Sequence, residues 1–364
     1  MTPRLAGIAD IPQLTAIEEN SFPGDRLSSR RFRHFIKGEH SELWCVGEPV
    51  QAYALMLFHR GTSLARLYSI AVDPAARGQG LAQKLLSCCE QQAVRRGVLF
   101  MRLEVRKDNP GALALYQKAG YSIIRSLSEY YDDGSDGWRL EKHLSSGRAA
   151  PGKLPFYAQT TTFTCGPSAL LMAMQSLRPH LNPDRIDELN IWREATTIYL
   201  TTGHGGCSPQ GLALAAHARG LHVELKVSDR SVPFLEGVRN AHKREVLTLV
   251  SEDFQHRCDE ADITTEVSQF TAAELRSALD NGYRILLLIS TYRMNRNKAP
   301  HWVWLVGMDD EFAYINDPDV DKDLDQAETD NIYVPVSMEN LSAMVQYGRR
   351  RYMAAVLLSE KSGA

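Results

Sequence analysis

Three short stretches in the second half of the chain carry residue types that together can attack an acyl carbon. They are Gln159-Thr-Thr-Thr-Phe-Thr-Cys165-Gly-Pro, then His301-Trp-Val-Trp, then Asn316-Asp317-Pro. A cysteine attacks as its thiolate, and the N-terminus of a helix favours that form. The Cys-Gly-Pro step followed by the apolar run Ala169-Leu-Leu-Met-Ala-Met places Cys165 at such a terminus. A histidine completes a thiolate–imidazolium pair, and a carboxylate fixes the tautomer and orientation of that ring. His301 follows Cys165 by 136 residues, and Asp317 follows His301 by 16, which suits the adjacent strand of a hairpin. Gln159, six residues before the cysteine, can aim its amide at a developing oxyanion together with the Cys165 backbone N–H.

This set resembles the C39 peptidase and C39-like family, whose fold is papain-like, over about residues 153 to 318. The separation of Cys165 and His301 falls in the range of about 130–150 residues typical of papain-like enzymes. The resemblance implies an oxyanion-hole role for Gln159, a nucleophile at Cys165, a base at His301 and an orienting group at Asp317. Tyr314-Ile-Asn-Asp-Pro fits the family's Asp motif. A competing nucleophile is Cys207 in Gly203-His204-Gly-Gly-Cys207-Ser, a stretch read here as a glycine-rich wall of the cleft. Zinc held by His204, Cys207, His256 and Cys258 is the weaker alternative, since the spacing fits no standard site. Arg293, Arg296 and Lys298, just before His301, could hold a carboxylate-bearing peptide or simply be solvated.

The first half is written for a different chemistry. Leu64 to Val72 reads as a strand that runs through Asp73-Pro-Ala-Ala-Arg77-Gly-Gln-Gly80 into a helix from about Leu81 to Arg95. Backbone N–H groups at such a helix start can cradle a pyrophosphate, and Gly78, Gly80 and Ala82 allow close approach. The loop resembles that of the GNAT acetyltransferases: Gln or Arg, two residues, Gly, one residue, then Gly or Ala. Leu103-Glu-Val-Arg through Asn109 and Ala-Leu-Tyr116 to Tyr121 resembles the second half of the GNAT core. The likeness is greatest to the branch that acetylates the amino termini of ribosomal proteins, and it covers roughly residues 3 to 143.

That resemblance implies acetyl-CoA as cofactor, held by Ile70, Val72, Arg77, Gly78, Gln79, Gly80, Leu81, Ala82 and Asn109. It implies Glu104 as general base, directly or through water, and Tyr116 as the acid that protonates the leaving thiolate. An ammonium must lose its proton before it attacks a thioester, and a carboxylate at a strand end can take it. The alternatives are that Glu104 pairs with a neighbouring arginine, Tyr116 only packs and Asn109 caps a helix.

The elements that must position these groups fall into two sets. The chain has 364 residues, enough for two ordinary domains. The boundaries read as 1–144, a Ser/Gly/Pro-containing linker at 145–155, and 156–364. In the first, helices near 10–20 and 27–37 precede strands at 43–46, 50–58 and 64–72. The helix from Leu81, a strand at 99–105, a helix at 110–118 and a strand at 121–126 follow, giving an α/β mixed-sheet fold of the GNAT kind. In the second, helices from Cys165 and over 209–218 come first. Strands are expected at 246–250, 285–291, 302–308, 313–315 and 352–358, an α+β arrangement of the papain-like kind. Asp319 to Asp330 reads as a solvated acidic loop.

A net charge of −3 gives no electrostatic footprint for nucleic acid. No segment approaches the ~20 apolar residues of a membrane helix, so a cytoplasmic protein is expected, its six cysteines free. The expected function is bifunctional: acetylation of an amine on a peptide or protein, and thiol hydrolysis of a peptide or amide bond. Two alternatives treat the second half as a non-catalytic peptide-binding module or as a transpeptidase acting on γ-glutamyl peptides. Resemblance to similarly fused chains also suggests an ATP-grasp peptide ligase system as a partner.

Overall fold

Separate hydrophobic interiors divide the chain into two units, Met1–Ala149 and Ala150–Ala364. The structure, a computed structural model, describes residues 2–22, 24–144, 154–196, 205–235, 238–295, 299–320 and 328–361. Most of the linker expected at 145–155 therefore lies outside the described residues.

In the first unit the order is β1 (Arg4–Leu5), α1 (Ile11–Ser21), α2 (Ser29–Lys37), β2 (Ser41–Val46), β3 (Ala52–Phe58) and β4 (Leu64–Val72). Then come α3 (Leu81–Arg95), β5 (Phe100–Arg106), α4 (Pro110–Lys118), β6 (Ser122–Leu127) and β7 (Gly137–His143). Among the described residues the strands form one sheet in the order β1-β2-β3-β4-β5-β7-β6. Each face is covered by helices whose apolar residues recur at helical spacing. Leu81, Leu85, Leu86 and Cys89 of α3 pack with Met56 and Leu103 on one face. Leu14, Ile17, Phe32 and Phe35 of α1 and α2 pack with Tyr53 and Leu55 on the other. The neighbours β4 and β5 run parallel from Leu64↔Phe100 to Leu67↔Leu103, and beyond that register they part. A bulge in the β3–β4 ladder, between Leu55 and Met56, lies at the same level.

The second unit runs α5 (Cys165–Leu177), α6 (Arg185–Ala195), α7 (Pro209–Ala218), β8 (Leu221–Val227), α8 (Ala241–Glu260), β9 (Thr264–Val267) and α9 (Ala272–Asp280). It continues with β10 (Arg284–Ser290), α10 (Tyr292–Asn295), β11 (Pro300–Met308), β12 (Phe312–Asn316), β13 (Val334–Ser337), α11 (Met338–Met344) and β14 (Ala354–Glu360). Its sheet order is β13-β12-β11-β10-β14-β8-β9, antiparallel except for β8 with β9. Helix α5 is buried on every side from Cys165 to Met174. It can be apolar all round because the sheet covers one flank while α6 and α7 cover others.

Three expectations are corrected. Val246 to Val250 is helical, inside α8. Its β-branched residues suggested a strand, but Leu247, Ser251, Phe254 and Cys258 make one buried helical stripe while Leu249 is exposed. Helices and strands are interleaved rather than ordered helix first, since β8 follows α7 directly. Asp330 is buried rather than solvated, because the segment that carries it returns to the sheet and Asn331 O accepts from the Asp317 N–H at 2.9 Å. Residues 321–327 of that acidic stretch lie outside the described residues. Among the described residues no helix is long and apolar enough to cross a membrane.

The start of α7 is set by Ser208, whose Oγ accepts from Gly211 N at 2.9 Å, with Pro209 at the first helical position. Gly211 then lies against α6 so closely that a Cβ there would stand 2.4 Å from the Ala195 carbonyl oxygen and 2.7 Å from its Cα. Gly211→Ala should therefore destabilise the second unit by about 1–3 kcal/mol, outweighing the roughly 1 kcal/mol that alanine gains in a helix. A lower urea midpoint at unchanged slope is the expected result; an unchanged midpoint would show that α6 yields freely.

Candidate functional site

In the second unit, Cys165 is the first residue of α5, after Thr164, which offers no side-chain cap to the helix. The terminal N–H groups are thus left to what lies in front of them. His301 stands near the start of β11, and Asp317 directly follows β12, the antiparallel neighbour of β11. The hairpin brings the two side chains together, with His301 Nε2 2.7 Å from Asp317 Oδ1. Cys165 also acts on the His301 ring, and with Nε2 engaged by the carboxylate the nitrogen left for sulfur is Nδ1. Cys165, His301 and Asp317 are only 7%, 7% and 5% exposed.

Burial alone would strip the imidazole of its proton. The nearby Asp317 carboxylate, hydrogen-bonded to the ring, and then the Cys165 sulfur overcome this and hold its pKa well above the ordinary 6.5. The folded ring therefore binds its proton more tightly than the unfolded chain does. Its contribution to stability is complete below the ordinary 6.5 and is lost as pH rises through the folded pKa.

Gln159 sits on the loop before α5, its N–H bonded to Pro318 O at 2.9 Å. Its Nε2 donates to Asp319 Oδ1 at 2.8 Å, so the acceptor fixes which end of the amide carries the protons. One amide proton is used there, and a second remains. Asp319, expected in a solvated loop, is instead half-buried; its own N–H donates to Asp317 Oδ1 at 2.9 Å, tying the Asp317 carboxylate to the Gln159 loop.

The other candidates are dispersed. Cys207 is buried and its carbonyl accepts from Trp302 Nε1 at 3.0 Å, while burial, and secondarily neighbouring Cys165, push its thiol well above the usual range. It is thereby held protonated beside the site. Gly203 and His204 lie outside the described residues. His256 and Cys258 lie on α8, but His256 is exposed whereas Cys258 is buried, so they do not converge as ligands. Arg293 donates to Asn340 Oδ1 at 2.8 Å; Arg296 and Lys298 lie outside the described residues.

In the first unit, Arg77 to Gly80 form an exposed turn between β4 and α3. Gly78 and Gly80 have φ of 78° and 73°, and a Cβ at either would meet nothing within 4 Å. Gly80 is the N-cap of α3 and supplies no capping side chain. An open turn with uncapped N–H groups at a helix start suits a pyrophosphate, and Gln79, Leu81 and Ala82 belong to it. Ile70 and Val72 lie on the part of β4 that has left β5. Asn109 caps α4, its Oδ1 accepting from Ala112 N at 3.0 Å.

Glu104, on β5, is held between two arginines that sequence reasoning left unnamed. Its Oε2 accepts from Arg66 Nε and Nη2 at 2.8 Å, and its Oε1 pairs with Arg139. An amine's proton must compete with these ion pairs to reach the carboxylate. Arg66 Nη2 further donates to Tyr130 Oη at 2.8 Å. Tyr116 is buried on α4, and burial raises its pKa, so its hydroxyl is protonated at neutral pH.

Comparison with known proteins follows this division. Residues 154–359 match the model of the Peptidase_C39 like family, and residues 11–121 match that of the acetyltransferase (GNAT) family. Among curated proteins, the [ribosomal protein bS18]-alanine N-acetyltransferase of Haemophilus ducreyi is 42% identical over 73 residues, 20% of this chain and 50% of that protein. N-alpha-acetyltransferase 30 of Schizosaccharomyces pombe is 34% identical over 82 residues, 22% of this chain and 55% of that protein. The chain spans about half the length of the curated relatives it matches. Among solved structures, the ribosomal-protein-S18-alanine N-acetyltransferase of Escherichia coli is similar at 27% identity and a TM-score of 0.37, covering 42% of this chain and 99% of that one.

Asp317→Asn removes the largest influence that raises the His301 pKa, so the ring should lose its proton at lower pH. Alkylation of Cys165 by iodoacetamide, followed from about pH 5 to 9, should fall about tenfold or more near pH 6 and approach wild type at alkaline pH. Superimposable profiles would mean that Asp317 does not control the ring.

Proposed function

Because the chain belongs to the Peptidase C39-like family and its first unit matches the GNAT family, we propose that it joins two acyl-transfer chemistries acting on peptides or proteins. The second unit cleaves a peptide or amide bond through an acyl-cysteine. The observation that carries this reading is the buried Cys165–His301–Asp317 line beginning at the first residue of α5. Cys165 Sγ attacks the carbonyl carbon, and the Cys165 N–H and Gln159 amide receive the oxyanion. His301 gives its proton to the leaving amine as the C–N bond breaks. Water then attacks the thioester, His301 takes its proton, and release of the acid regenerates Cys165.

The first unit transfers an acetyl group to an amine. Bound acetyl-CoA supplies that group already activated as a thioester. The Gly78 to Ala82 turn and the N-terminus of α3 hold the pyrophosphate, and the parted strands β4 and β5 admit the acyl arm. Tyr116 keeps a proton for the leaving sulfur. Glu104 takes the amine's proton through water, with Arg66 and Arg139 holding the carboxylate in place. Cleavage exposes amino groups and acetylation caps them, so one peptide can pass through both steps.

Intact-protein mass spectrometry after brief exposure to iodoacetamide at neutral pH tests the second unit. One fast label is expected, absent in Cys165→Ala and at least about tenfold slower in His301→Ala. Labelling no faster than an ordinary thiol would leave this unit as a peptide-binding module, and a fast label on Cys207 would move the nucleophile there. For the first unit, Tyr116→Phe should lower acetyl transfer to a pool of defined peptides by about 100-fold without weakening acetyl-CoA binding. Unchanged turnover would remove Tyr116 from the chemistry.

A further inference from the structure

Glu188, on α6, is fully buried, and among the described residues its partners include no cation; it has no place in the chemistry above. A buried carboxylate is costly unless its lone pairs are met, and here they are met almost entirely from one short loop. Its Oε2 accepts from Tyr157 Oη at 3.0 Å and Thr160 Oγ1 at 2.7 Å. Its Oε1 accepts from the Thr160 backbone N–H at 2.8 Å and Thr164 Oγ1 at 2.5 Å, with Ser168 Oγ of α5 at 3.4 Å. The three loop residues it grips bracket Gln159 and end at the residue before Cys165.

We propose that Glu188 is a positioning residue of the cysteine site, fixing the loop from Tyr157 to Thr164 so that the Gln159 amide and the Cys165 N–H point at one oxyanion. The proposal rests on the nucleophile reading given above. One carboxylate anchors the loop at its start, middle and end, so the separation of the two donors does not depend on the loop's own stiffness. From the opposite side the loop is tied to the segment carrying Asp317, through Gln159 N to Pro318 O at 2.9 Å and Gln159 Nε2 to Asp319. Burial, and then the Glu188 charge, raise the Tyr157 phenol, which stays a donor. A neutral residue in place of Glu188 keeps the thiol and imidazole where they are but loosens the loop. The hole is then lost before the nucleophile is.

Two reagents separate these outcomes. Iodoacetamide alkylates sulfur by direct displacement and needs no oxyanion hole. p-Nitrophenyl acetate acylates sulfur through a tetrahedral oxyanion, with p-nitrophenolate leaving. In the full chain, Glu188→Gln should lower Cys165 acylation by about tenfold or more while alkylation stays within about twofold. Thr160→Val, which deletes one hydroxyl donor, should change the same ratio less. Equal loss in both reactions would overturn the proposal by making Glu188 a support of the unit as a whole, and so would no change in either. If wild type shows no Cys165-dependent reaction with either reagent, the nucleophile reading itself fails and takes this proposal with it.

Discussion

A buried imidazole set against the Asp317 carboxylate, a pairing that favours the protonated ring, is the constraint around which the second unit is arranged. A charged ring with so little exposure is tolerable only with negative partners in fixed positions. The Asp317 carboxylate must therefore come from a neighbouring strand, and the β11–β12 hairpin supplies it at 2.7 Å. The sulfur must come from the other side, and α5 supplies it from its first turn. That helix carries Cys165 into the interior because it is buried from Cys165 to Met174 and covered on several flanks. Asp317 is itself steadied, accepting from Asp319 N and donating its own N–H to Asn331 O.

The first unit presents open backbone at its candidate site where the second presents side chains. β4 and β5 pair for four residues and then separate, opening a gap in the sheet without breaking it. The turn that follows β4 has two glycines at positive φ, and α3 begins without a side-chain cap. Side chains enter this region as a buried charged set, Arg66 and Arg139 around Glu104. The two units thus place carboxylates differently. Asp317 faces an imidazole, which can change charge near neutral pH, whereas Glu104 is held by guanidinium groups, which do not.

Much of this was legible in the residues. Cys-Gly-Pro before an apolar run marked the start of α5, and the 16-residue interval between His301 and Asp317 matched the hairpin. Pro110 to Lys118 and Pro209 to Ala218 were placed to the residue, because each opens with a capping residue and proline. Strand β8 went unnoticed although Leu-His-Val-Glu-Leu-Lys-Val alternates buried and less buried positions along its length. Val246 to Val250 carries strand-forming residue types, but burial at Leu247, Ser251, Phe254 and Cys258 follows the helical period. Glu188 could have been found: it shares a helical stripe with Ile191 and Ala195, so a carboxylate stood on the buried face. The Arg139–Glu104 pair and the Asp319–Gln159 contact could not, since each joins stretches far apart in the sequence and only tertiary packing brings them together.

The protonation state of His301 at about pH 7 is the most direct test of the account, read by NMR of isotope-labelled histidine in the full chain. The account predicts a ring with both nitrogens protonated, reverting to a neutral ring at lower pH in Asp317→Asn than in wild type. A neutral ring at that pH in wild type, with Cys165 carrying its proton, would contradict it.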